Sequence, residues 1–147
     1  MIHLLRLSWL ISLGISLIGF LIIGNLYSVK IEEGSGNFGF VGIIFVVPFL
    51  LLSLFTTFRY FLAVARNSVD RLMKTLSIVS GFIFIGILIY FVIDYKNAIY
   101  LTLSDSLSDL PLINEHTYTV FLNFYTFALI HAIVGLIGGI VGLTKKR

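Results

Sequence analysis

The sequence predicts an all-α protein: an integral membrane four-helix transmembrane bundle with short loops and an outer interfacial amphipathic segment. Three observations carry this reading. The 147 residues are 59% hydrophobic and 12% charged, with mean hydropathy +1.07, whereas soluble domains carry about 25% charged residues. Uncharged runs of 23, 25, 19 and 29 residues lie between Arg6 and Lys30, Glu33 and Arg59, Lys74 and Asp94, and Glu115 and Lys145; a helix needs about 20 residues to cross a bilayer core. Finally, the charges segregate. If four helices alternate, Arg6, Arg59, Arg66, Arg71, Lys74, Lys145, Lys146 and Arg147 share one side with Asp70 as their sole acid. Lys30 and Lys96 share the other with Glu32, Glu33, Asp94, Asp105, Asp109 and Glu115. Basic residues of short loops stay in the cytoplasm, which predicts a multi-pass cell-membrane protein with both termini cytoplasmic. The spans leave no room for a separate domain, so residues 1–147 are read as one transmembrane domain.

The first helix is expected over residues 5–28. Its 23-residue uncharged run is too long for a signal-peptide core, and no small-residue cleavage site follows, so it reads as a permanent span. Trp9 falls near the membrane interface, where amphipathic rings concentrate. Residues Lys30 to Asn37 form a polar turn with glycines at 34 and 36. The second helix, over 38–65, is about 42 Å long at 1.5 Å per residue; Pro48, lacking an N–H, marks a kink. Arg59 and Arg66, seven residues apart, share a face that suits headgroup phosphates, with Lys74 opposite. The third helix is expected over 72–95 and is rich in aromatic residues. Beyond it, Leu103, Leu107 and Leu110 at i, i+4 and i+7 describe a short amphipathic helix ended by Pro111. The fourth helix is expected over 118–143.

Small residues recur at helix-packing intervals: Ser8, Ser12 and Ser16 on the first helix, Ser77 and Gly81 on the third, and Ala128, Ala132, Gly135, Gly138, Gly139 and Gly142 on the fourth. Within lipid such positions let backbones approach closely, either inside the bundle or against a partner helix or second copy through helix four.

His131 is the one ionisable side chain deep in a span, a position that suggests function. It is the candidate for contact with a cofactor such as a haem or quinone. A two-histidine haem would need a second ligand at matching depth. His116 lies about 22 Å along the same helix and His3 at the other end, so a second copy or partner would have to supply it. The ordinary alternative is a hydrogen bond between helices, with Ser16 and Ser53 at similar depth. No cysteine is present, no metal-ligand spacing occurs, and the patterns of hydrolases, phosphate loops and dinucleotide folds are missing. The expectation is therefore no enzymatic activity, no cofactor and no metal site. The basic surplus is a topology signal and does not imply nucleic acid.

The leading functional expectation is a non-catalytic accessory or structural subunit of a larger membrane complex of respiratory, transport or secretion type. The alternatives are an immunity protein against a membrane-active peptide, met by the acidic outer surface, and a haem-contacting, quinone-contacting or transport protein centred on His131. Richness in Ile, Leu, Ser and Phe suggests a prokaryotic source.

Overall fold

The computed structural model describes residues 2–30, 38–68, 70–104 and 122–144. They form four helices: α1 (Ile2–Lys30), α2 (Phe38–Asn67), α3 (Arg71–Ser104) and α4 (Phe124–Thr144). Each contains a stretch long and apolar enough to cross a membrane, and the chain is a multi-pass membrane protein in contact with lipid. Cross-helix contacts give the directions. Trp9 meets Thr57 and Tyr60 while Gly19 meets Val46 and Gly42 meets Ile23, so α1 and α2 are antiparallel. Ser53 meets His131 and Leu62 meets Gly142, so α2 and α4 run the same way. Gly81 meets Leu136 while Phe91 stacks on Tyr125, which sets α3 antiparallel to α4. One end of the bundle thus collects Arg6, Arg59, Arg66, Arg71 and Lys74 together with Asp70; the other holds Asp94 and Lys96.

Helix boundaries depart from the sequence reading in two places. The third helix continues past residue 95 to Ser104, because nothing from Lys96 to Leu101 breaks a helix; charges at 94 and 96 mark where the bilayer core can end, not where backbone hydrogen bonds do. At 34 residues it is about 51 Å long, so it tilts or protrudes from a core about 30 Å thick. Leu103, assigned from sequence to a separate amphipathic helix, belongs to the last turn of α3; the remainder of that segment, with Leu107, Leu110, Asp105, Asp109 and Glu115, lies outside the described residues. So does the polar turn over 31–37. The fourth helix begins at Phe124 instead of 118. Asn123 caps it, accepting Thr126 N–H on Oδ1 at 3.0 Å and Phe127 N–H on its carbonyl at 3.1 Å, which satisfies donors that have no partner within the helix. Asp70 does the same for α3 by accepting Leu72 N–H at 2.9 Å. Pro48 sits on an exposed face inside α2, which continues through it.

The packing order is α1, α2, α4, α3. Helix α2 lies between α1 and α4, and among the described residues the one extensive contact of α3 is with α4. Short connections predict that successive helices pack as neighbours. Although only residues 68–70 join them, α2 and α3 do not pack along one another.

The interior inverts the soluble pattern. Among the described residues the largest fully buried side chains are Thr57, Ser16 and Ser53, while Leu, Ile and Phe cover the outside. In lipid an outward leucine loses nothing, and close approach of backbones supplies the attraction. Among the described residues the buried apolar side chains are few: Phe20, Ile23, Leu88 and Phe127. Phe20 and Phe127 meet at 5.5 Å between ring centroids, joining α1 to α4.

Candidate functional site

Two features stand out within the bundle: a buried polar belt through α1, α2 and α4, and a cleft between α2 and α3.

The belt starts at Trp9, whose indole Nε1 donates to Thr57 Oγ1 at 2.9 Å and whose ring stacks on Tyr60 at 4.6 Å. Thr57 Oγ1 donates in turn to the carbonyl of Ser53 at 2.7 Å. One turn along, the hydroxyls of Ser12 and Thr56 meet at 2.6 Å. Ser53 Oγ then reaches His131 Nε2 at 2.8 Å, and His131 Nδ1 lies 2.8 Å from the carbonyl of Phe127, one turn earlier on α4. A carbonyl can only accept, so Nδ1 carries a proton. Both ring nitrogens are occupied, and the ring packs on Phe127 with centroids 4.1 Å apart. A polar group at this depth is costly unless it is bonded, and here the bonds tie three helices together. Of the two partners expected for His131, Ser53 makes the bond. Ser16 is fully buried but turns back to donate to Leu13 O at 3.1 Å on its own helix.

His131 can serve a ligand through a ring nitrogen only by giving up Ser53 or the Phe127 carbonyl. Among the described residues no three His, Asp or Glu side chains come together as a metal would require.

The small residues divide by position. Ser12 and Ser16 are buried, whereas Ser8 is exposed. On α4 the glycines group as 135, 138 and 142. A Cβ on Gly135 would stand 3.1 Å from the Phe61 ring, one on Gly138 2.6 Å from Phe58 O, and one on Gly142 2.7 Å from Leu62 O. Gly138 and Gly142 admit the backbone of α2, and Gly135 admits the Phe61 ring. Gly81 admits Leu136 in the same way, at 2.9 Å, between α3 and α4. Gly139 has nothing within 4 Å, because it faces the cleft. Ala132 lines the cleft too, and Ala128 is half-buried.

The cleft has a volume of about 730 Å³, within the range of about 300–1,000 Å³ found for small-molecule sites. Phe61 and Val64 of α2 form one wall, Lys74, Ser77 and Phe84 of α3 the other, and α4 the floor, from Leu143 at the basic end to His131 at the inner end. Of the three cations expected at the headgroup layer, Lys74 is half-buried and lines the cleft, while Arg59 and Arg66 are exposed and do not line it.

Sequence reasoning did not single out Thr56 and Thr57. The signal was present: Ser53 and Thr57 repeat the four-residue interval of Ser12 and Ser16 on the neighbouring helix.

The fold and these features define the class, a multi-pass α-helical membrane protein with a polar inter-helix belt and a lateral cleft. Comparison with known proteins finds no matching family model, no matching curated protein and no matching solved structure.

Proposed function

We propose that the protein is a non-catalytic accessory or structural subunit of a larger complex in a prokaryotic cell membrane, of respiratory, transport or secretion type. In this reading it docks through α3, with its basic end in the cytoplasm as the positive-inside rule requires. The observation that carries the reading is the isolation of α3. Only 6% of its apolar window is buried inside the protein, against 11% for α2, 22% for α1 and 28% for α4. Its outward side has helix-packing periodicity: Val79, Ile83, Tyr90 and Ile93 are exposed around Gly86, which has nothing within 4 Å of where its Cβ would stand. A glycine unfilled at the centre of an apolar stripe fits the close approach of another transmembrane helix.

The test is purification of tagged protein from its native membrane in mild detergent, followed by mass spectrometry of the isolated peak. Stoichiometric companions, lost when Gly86 is replaced by Phe, support the reading. A peak containing this chain alone overturns it.

A further inference from the structure

We infer that the cleft between α2 and α3 holds an anionic phospholipid, its headgroup phosphate at Lys74 and an acyl chain laid along α4 toward His131. The inference stands apart from whatever covers the outer side of α3, because the cleft opens on a different side of that helix.

Depth is the first argument. Along α3 the lining runs from Met73 and Lys74 to Phe84, about 15 Å at 1.5 Å per residue. On α4 it runs from Leu143 to His131, about 18 Å. Both match one leaflet, half of a hydrocarbon core about 30 Å thick. The cleft therefore begins where headgroups lie and stops at the level of acyl-chain ends.

Charge is the second. Lys74 is at the mouth, and among the described residues no acidic side chain lines the cleft. The hydroxyls of Ser68 and Ser77 also lie in the lining near that end, as donors to phosphate or glycerol oxygens. Farther in, the walls are Phe61, Phe84, Leu136, Ala132 and Gly139, which suit a methylene chain. The single imidazole at the inner end already spends both nitrogens on Ser53 and Phe127, so it makes no demand for a polar ligand there.

Native mass spectrometry of the purified full chain, loaded with phosphatidylglycerol or phosphatidylcholine in mixed micelles, tests this. The wild type should retain one phosphatidylglycerol in preference to phosphatidylcholine. Lys74→Gln should weaken phosphatidylglycerol retention about fivefold, the loss of one lysine–headgroup attraction, and abolish the preference. Gly139→Leu, whose side chain enters open space, should reduce retention of both lipids while the protein remains folded by circular dichroism. Equal retention of the two lipids by the wild type overturns the proposal, as does unchanged retention in both variants. A photo-reactive residue at Ser77 should label lipid; a polypeptide adduct from that position also overturns it.

Discussion

Gly138 and Gly139 are adjacent in sequence, and adding one methyl group to each should give opposite results. A Cβ on Gly138 would meet Phe58 O at 2.6 Å, Phe58 Cα at 3.2 Å and Phe58 C at 3.3 Å. All three atoms belong to the backbone of α2, which no rotamer change can move. Ordinary contact begins near 3.4 Å, so Gly138→Ala must push α2 and α4 apart along their closest seam. That seam also carries the Ser53–His131 bond. Overpacking typically costs about 1–3 kcal/mol, and a rigid backbone obstacle places this case near about 3 kcal/mol. At about 2–4 °C per kcal/mol for chains of this size, Tm should fall by about 6–12 °C. Gly139→Ala meets nothing within 4 Å and gains up to about 1 kcal/mol of helix propensity, so its Tm should equal or slightly exceed that of the wild type. Thermal unfolding in detergent, followed by circular dichroism and by loss of the monodisperse size-exclusion peak, reads both. Equal Tm values for Gly138→Ala and the wild type, or equal losses in the two variants, would refute the assignment of these glycines to different faces.

Ser53 and His131 should respond asymmetrically. Ser53→Ala strands His131 Nε2 in the interior and should cost about 1–3 kcal/mol. His131→Leu should cost less, since the Ser53 hydroxyl already lies 2.8 Å from Leu50 O and can donate there. The double variant should then be no less stable than Ser53→Ala alone, by thermal unfolding; additive losses would contradict the bond. Trp9 is the single tryptophan of the chain, so its emission isolates the α1–α2 contact. Thr57→Val removes the acceptor of the indole N–H and should shift emission to the blue, whereas Ser8→Ala, at an exposed position, should leave the spectrum unchanged.

Much of the architecture is legible in the sequence because a membrane imposes simple rules. Four long uncharged runs become four helices, and the described basic residues other than Lys30 and Lys96 gather at one end of the bundle. Helix ends are less legible. Asp94 and Lys96 are compatible with continued α3 backbone bonding, and the start of α4 is set by Asn123, a capping residue hidden inside the uncharged run. The glycines of α4 were recognisable as packing positions, but two four-residue pairs could be drawn through them. Only the placement of α2 shows that 135, 138 and 142 act together and that 139 is left open. The site is partly legible: counting along helices puts Ser16 and Ser53 level with His131, and the structure selects Ser53. The cleft does not, because it arises from α3 leaning on α4 and away from α2. A link of three residues brings two helix ends together without making the helices pack.

The most direct test of docking through α3 is site-specific photo-crosslinking in the native membrane. Probes would be placed at Val79, Ile83 and Tyr90 on α3 and at Ile11 and Ile18 on α1, all exposed apolar positions. The account predicts discrete polypeptide adducts from the α3 positions and lipid adducts from α1. Lipid adducts alone from α3, indistinguishable from those of α1, would contradict it.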